Sequence, residues 1–110
     1  MFYTFSQNNS GRSRHRSRFD HDSFNGIGYK VVIEADSADE ANVIAESIGI
    51  YFNGCDDDRD CPCCGDRWYP AWESGNETPT MYGGPVTGGW GIPSYIHYKN
   101  GTVAAVGDER

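Results

Sequence analysis

The fold is decided by residues 29–49, YKVVIEADSADEANVIAESIG, in which a β-branched run passes directly into a helical pattern. Residues 29–36 are rich in valine and isoleucine, and their alternation predicts a strand whose buried face includes Val31 and Ile33. Ser37 and Glu40 match the capping box that starts helices, and Gly49 is a typical residue at a helix end. The stretch therefore predicts a strand followed by a helix over residues 38–48.

The predicted helix is amphipathic, because its apolar residues recur three and four positions apart. The inward-facing residues of this helix are predicted to be Ala41, Ile44, Ala45 and Ile48. Glu40, Asn42 and Glu46 are predicted to face water. A strand that leads into such a helix is typical of an α+β domain.

Shorter segments around this unit predict the rest of the sheet. Residues 1–6 alternate as a first strand does, and residues 50–52, 68–72 and 80–82 are candidate short β segments. Near the end of the chain, Asn100-Gly101 predicts a two-residue type I′ turn, with Tyr98 opposite Val103 and Ile96 opposite Ala105. The predicted fold is α+β: a small antiparallel sheet with one amphipathic helix, a C-terminal β-hairpin and a zinc-knuckle loop.

The length of 110 residues predicts a single domain over residues 1–110. Three loops interrupt it in this interpretation: a flexible basic loop at 7–26, a cysteine loop at 53–67 and a glycine-rich loop at 83–91. The sequence contains no leucine, so isoleucine, valine and the aromatic residues must build the core. Such a core favours sheet over a helical bundle.

The charge of the chain is strongly asymmetric. Nine lysines and arginines stand against sixteen acids, for a net charge of -7, yet the first 18 residues hold four arginines and no acid. The acidic remainder argues against broad binding of duplex DNA, which requires many cations on the phosphates. No apolar run of membrane-spanning length and no signal-peptide pattern is present, so we expect a cytosolic protein.

The four cysteines form the sharpest chemical signal. Cys61-Pro-Cys-Cys64-Gly has the form of a zinc knuckle, and Cys55 is the natural third ligand of a structural zinc ion. The fourth ligand stays open among Cys63, His97, His21 and an aspartate of the loop. Four reduced thiols in a surface loop, or a disulfide, are the alternatives.

Candidate ligand-binding residues lie elsewhere in the chain. Guanidinium groups bind phosphates well, so Arg12, Arg14, Arg16 and Arg18 predict a site for a nucleotide or another phosphorylated ligand. A solubilising insertion, or a segment that contacts the acidic body, is the alternative for these arginines. Trp90 and Tyr98 are the aromatic residues predicted to line a pocket. No nucleophile elbow, P-loop or HExxH motif indicates an enzyme.

Three motifs together resemble a family of small proteins of unestablished function encoded by tailed bacteriophages. They are FYTFSQNNSG at 2–11, VIEADSADEA at 32–41 and CPCCGDRWY at 61–69. The arginine tract is a departure from the pattern of that family. The resemblance implies a small accessory protein in the cytoplasm of an infected bacterium, and it carries over no catalytic residues.

By analogy with small phage accessory proteins, we expect a non-enzymatic protein that counters host antiviral defence by binding. Two kinds of partner fit this hypothesis: a nucleotide-type signal that the protein sequesters, or a host defence protein that it blocks. The nucleotide hypothesis expects a pocket completed across a homo-oligomer interface. The alternative function is a zinc-knuckle protein that binds nucleic acid or modulates host transcription.

Overall fold

The computed structural model describes residues 1–7, 22–52, 68–71, 75–80, 84–89 and 92–107. Its elements in chain order are β1 (Phe2–Ser6), β2 (Lys30–Glu34), α1 (Ala38–Ser47), β3 (Ser94–His97) and β4 (Val103–Val106). The α+β class predicted from the sequence is confirmed. The cysteine loop lies outside the described residues.

The four strands form one mixed sheet in the order β1-β2-β3-β4. The outer pairs β1–β2 and β3–β4 are antiparallel, but the central pair β2–β3 is parallel. The prediction of an antiparallel sheet was therefore wrong at its centre. The long connection between β2 and β3, which includes α1, brings the chain back to the start of β2, where the Tyr29 N–H donates to the Pro93 carbonyl (2.9 Å), so β3 runs parallel to β2.

Helix α1 begins where the capping residues predict. The backbone N–H of Glu40 donates to the Ser37 hydroxyl (3.1 Å), and the Glu40 carboxylate accepts from the Asp36 N–H (2.8 Å). Gly49, with a φ of 115°, follows the last turn, because glycine adopts this left-handed conformation without strain. The helix is confirmed, although it ends at Ser47 with Ile48 as its cap residue.

The inward face of α1 is also as predicted, with one correction. Ala41 and Ala45 are fully buried, and Ile44 and Ile48 pack against the same core. Asn42, however, does not simply face water. Its side chain both donates to the Ala71 carbonyl (2.9 Å) and accepts from the Ala71 N–H (2.7 Å).

The sheet is covered on both faces. Phe5, Val31, Ile33 and Trp68 belong to the core under α1, whereas Phe2, Val32, Val86 and Ile96 form a second cluster on the opposite face. Val32 is as fully buried as Val31 and Ile33. The continuous run Val31–Ile33 is thus typical of a central strand that has no face toward water.

The C-terminal hairpin forms, but its register differs by one residue from the prediction. His97 pairs with Val103 and Ile96 with Ala104, and the loop ends at Gly101, whose φ is 95°. The Tyr98 carbonyl accepts from the Gly101 N–H (2.9 Å), and the Tyr98 N–H donates to the Thr102 carbonyl (2.8 Å). This is the geometry of a three-residue loop with a glycine bulge, which competes with the two-residue turn for Asn-Gly sequences.

Two of the predicted short β segments are irregular. Residues 50–52 are not a strand, although Ile50 is buried and the Phe52 ring stacks on Phe5 with centroids 6.1 Å apart. Residues 68–71 also lack strand structure, and Trp68 lies in the core. Among the described elements, no helix has the length and apolarity that a bilayer crossing requires.

Candidate interaction surface

A tight turn at residues 22–27 displays one aromatic side chain. The backbones of Asp22 and Ile27 exchange two hydrogen bonds (2.8 and 2.9 Å), which closes the turn. The Asp22 carboxylate accepts from both the backbone and the side-chain N–H groups of Asn25 (3.2 and 2.7 Å). Phe24, inside this closed turn, is 94% exposed.

The turn is fixed to the sheet by its last two residues. Ile27 is buried in the core under α1. The carbonyl of Gly26 lies 2.8 Å from Nε2 of His97, and a carbonyl oxygen only accepts, so Nε2 must carry the proton. A Cβ atom at Gly26 would lie 2.7 Å from the His97 ring and 3.2 Å from Val103, so the turn rests directly on β3 and β4.

Exposed apolar side chains of β4 lie on the same side of the sheet as this turn. Val103, which pairs with the buried His97, and Ala105, which pairs with the buried Tyr95, are themselves exposed. Val103 retains 48% of its surface in contact with solvent. Phe24, Val103 and Ala105 are referred to below as the Phe24 surface.

A cleft of about 360 Å³ lies beside the helix, at the carboxyl ends of the parallel strands β2 and β3. Ligands of open α/β sheets commonly bind at this position. Ile33 and Ile44 contribute apolar side chains to its lining. The remaining lining residues are Glu34, Glu40, His97, Tyr98, Lys99 and Gly101.

Backbone N–H groups hold the carboxylates around this cleft. Glu34 accepts from the Lys99 N–H (2.9 Å), just as Glu40 accepts from the Asp36 N–H. The Lys99 ammonium pairs with the Asp36 carboxylate. The N-terminal ammonium of Met1 lies nearby and donates to the Ala35 carbonyl (3.1 Å), so three carboxylates stand against two ammonium groups and this end of the sheet carries a small negative charge.

The Asp36–Lys99 ion pair shifts the pKa of each group away from its ordinary value. The hydrogen bond from Lys99, reinforced by its charge, lowers the pKa of Asp36. The same hydrogen bond raises the pKa of Lys99. Both side chains are largely exposed, so solvent screens the pair and its contribution to stability is small.

Of the residues predicted to bind ligand, Tyr98 lies in the described part of the chain. It lines the cleft, and its ring meets Phe2 edge-on with centroids 5.9 Å apart. The other predicted site residues lie outside the described residues: Arg12, Arg14, Arg16, Arg18, Trp90, Cys55, Cys61, Cys63 and Cys64. Within the described residues, no group of three His, Cys, Asp or Glu side chains is placed to hold a metal ion.

Sequence reasoning missed the Phe24 turn. Residues 22–26 fell within the predicted flexible loop, because they show no apolar periodicity. The detectable signal was Asp22 followed three and four residues later by Asn25 and Gly26. Aspartate and asparagine fix turns through side-chain hydrogen bonds, and glycine supplies positive φ, here 75°.

The fold and this surface define a small α+β domain with an apolar projection beside an acidic cleft. The chain belongs to the family described as Domain of unknown function (DUF7296), which matches residues 1–110. No curated protein and no solved structure matches the chain significantly.

Proposed function

We propose that this chain is a non-enzymatic bacteriophage accessory protein that acts in the cytoplasm of the host bacterium by binding and blocking a host defence protein. The observation that carries this proposal is the 94% exposure of Phe24 on a hydrogen-bonded turn. A phenylalanine in water forgoes the ~1.5–3 kcal/mol that its burial provides. Aromatic anchors of this kind are enriched among the residues that dominate protein–protein interfaces.

The rigidity of the turn supports the same function. Four hydrogen bonds between Asp22, Asn25 and Ile27 fix the backbone on either side of Phe24. A partner that buries this ring therefore has little loop ordering to offset. A preformed projection suits a protein that must compete for an occupied or narrow site on its target.

The charge of the described surface supports a protein partner rather than a nucleotide. Around the cleft, the carboxylates of Glu34, Asp36 and Glu40 outnumber the ammonium groups of Lys99 and Met1, so the small net negative charge opposes phosphate groups. Sequestering of a nucleotide depends on the arginine tract and Trp90, which lie outside the described residues, and it stays a prediction from the sequence.

The Phe24 anchor is tested by replacement with alanine. Tagged wild-type protein, Phe24→Ala and Tyr69→Ala are expressed in bacteria that carry an antiviral defence system, and stoichiometrically retained proteins are quantified. Tyr69 is the matched control, because it is a second exposed aromatic residue. For Phe24→Ala we expect the dissociation constant of the retained protein to rise about 30-fold, the equivalent of ~2 kcal/mol for an interface anchor.

The same three proteins are compared for the rescue of phage plating in defended cells. Rescue by the wild type and Tyr69→Ala, but not by Phe24→Ala, is the expected pattern. Equal retention of the host protein by all three would show that Phe24 is not the anchor. Rescue by Phe24→Ala to the wild-type level would contradict the proposal itself.

We also propose that Cys55, Cys61, Cys63 and Cys64 supply the ligands of a structural zinc ion. The support is the spacing of the cysteines and the fixed position of both ends of their loop. Phe52 and Trp68, which flank residues 53–67, both pack against the core under α1. A metal inside a loop whose ends are already fixed stabilises the folded chain at small additional ordering cost.

Zinc is tested by native mass spectrometry of protein purified without chelator. We expect one zinc ion in the wild type and its loss in Cys61→Ser, with a melting temperature about 10 °C lower, the equivalent of ~2 kcal/mol in a domain of this size. Arg59→Gln, in the same loop, is the control that keeps the metal, because arginine is not a zinc ligand. A metal-free wild type whose melting temperature is unchanged by chelator would exclude the zinc site.

A further inference from the structure

Strand β4 leaves one long side of the sheet open in the described part of the chain. The Tyr98 N–H donates to the Thr102 carbonyl, and antiparallel pairs alternate between hydrogen-bonded and non-hydrogen-bonded. The backbone groups of Ala104 and Val106 therefore point to β3. Those of Val103 and Ala105 point away from the sheet, where no described strand lies.

The opposite edge of the sheet, formed by β1, is partly covered by other backbone segments. At β1, Phe2 exchanges two backbone hydrogen bonds with Asn76 (2.7 and 2.9 Å), and the Thr4 hydroxyl donates to the Thr80 carbonyl (2.7 Å). Residues 76–80 thus cover part of that edge. On the β4 side, the corresponding contact among the described residues comes after the strand, where the Gly88 N–H donates to the Gly107 carbonyl (3.0 Å).

The sequence of β4 also lacks the usual protection of an open edge. Natural edge strands are commonly shielded by short length, lysine, proline or inward charges. β4 is four residues long, but its sequence Val-Ala-Ala-Val contains no lysine, proline or charge. An unshielded edge beside the exposed side chains of Phe24 and Val103 is the arrangement expected of a surface that receives another strand.

We infer that the β4 edge binds an extended segment of the partner protein as a fifth strand, and that this segment carries lysine or arginine beside its apolar residues. The inference rests on the proposed function, because it places the partner on the Phe24 surface. The backbone groups of Val103 and Ala105 supply the strand pairing. Phe24 and Val103 supply the apolar contacts.

Charge complementarity selects the basic segment. A strand beyond β4 lies three strand spacings, about 14 Å, from β2, so the preference for a basic segment comes from the net charge of -7 and not from ion pairs with Glu34 or Glu40. A second copy of this chain fits less well, because each copy carries a net charge of -7.

The test uses the full chain labelled with ¹⁵N and the synthetic peptide Lys-Val-Lys-Val-Lys-Val-Lys, with Glu-Val-Glu-Val-Glu-Val-Glu as its control. Amide hydrogen exchange is followed at each residue of β4. We expect the basic peptide to slow exchange at Val103 and Ala105 at least about tenfold, whereas Ala104 and Val106 are protected in the free protein as well. The acidic peptide leaves all four amides unchanged.

Ala105→Pro and Val103→Lys provide the matched variants. Proline at residue 105 removes only an outward N–H, which edge strands tolerate, so the native pairing with β3 is retained. Both variants should keep the wild-type circular dichroism and lose the peptide-induced protection of the remaining β4 amides. They should also bind the host protein at least about tenfold more weakly, as an interface that loses its strand pairing must.

Three results would overturn the inference. The first is equal slowing of amide exchange by the basic and the acidic peptide, and the second is undiminished binding of the host protein by both variants. The third is slower exchange at Val103 at higher protein concentration without peptide, which would identify a second copy as the occupant. The proposed function fails separately. If Ala105→Pro binds the host protein as tightly as the wild type while Phe24→Ala loses binding, the fifth strand is excluded and the Phe24 anchor stands. Rescue of plating by Phe24→Ala to the wild-type level contradicts the proposed function.

Discussion

Gly28→Ala is expected to destabilise the protein by about 3 kcal/mol or more, a large part of the stability of a small domain. A Cβ atom at Gly28 would lie 2.0 Å from the carbonyl oxygen of Pro93 and 2.9 Å from the Tyr95 ring. The contact is with backbone, so a side-chain rotation cannot relieve it. The chain here is also held by the Tyr29 N–H, which donates to the same Pro93 carbonyl (2.9 Å).

Urea unfolding monitored by tryptophan fluorescence measures this effect. Gly107→Ala is the matched control, because a Cβ atom at Gly107 would meet no other atom within 4 Å and the backbone conformation there suits any residue. We expect the control to change the free energy of unfolding by less than ~0.5 kcal/mol. If Gly28→Ala changed the free energy of unfolding as little as the control, the backbone of residue 28 could not lie this close to residue 93.

Trp68→Ala is the second large effect, with an expected loss of about 3–5 kcal/mol. Trp68 is 1% exposed and is the largest fully buried side chain among the described residues. It packs with Phe5, Val31 and Ile33 in the core under α1, where its removal leaves a cavity that a sheet and a helix cannot readily close.

The neighbouring residue supplies the control for this variant. Tyr69 is half-exposed, so Tyr69→Ala removes an aromatic ring at the adjacent position without opening the core. Its free energy of unfolding should remain within about 0.5 kcal/mol of the wild type. Comparable losses in the two variants would show that Trp68 is not the anchor of the segment after the cysteine loop.

The two effects bear on different parts of the architecture. Gly28 allows the chain before β2 to pass close to the chain before β3, which sets the start of the parallel pair. Trp68 ties the segment after the cysteine loop to the same core that supports α1. Together they hold the crossover connection on which the mixed sheet depends.

The surface residues follow a different rule, because their exposure was not predictable from local pattern. Phe24 is apolar, and most phenylalanines are buried, so its place at a solvent-facing turn contradicts the ordinary expectation. Residue 24 lies outside the core because Ile27 is buried in it and the Gly26 carbonyl is hydrogen-bonded to His97. The cleft likewise depends on residues from β2, α1 and the hairpin, which are far apart in sequence.

The sequence by itself determined the local elements. Ser37, Glu40 and Gly49 define the ends of the helix, and the β-branched run at 31–33 defines the central strand, because capping, glycine conformation and side-chain stiffness act between near neighbours. The tertiary structure alone decided how the strands pair. The parallel contact of β2 with β3 and the open edge of β4 depend on packing between residues distant in sequence, which no local pattern records.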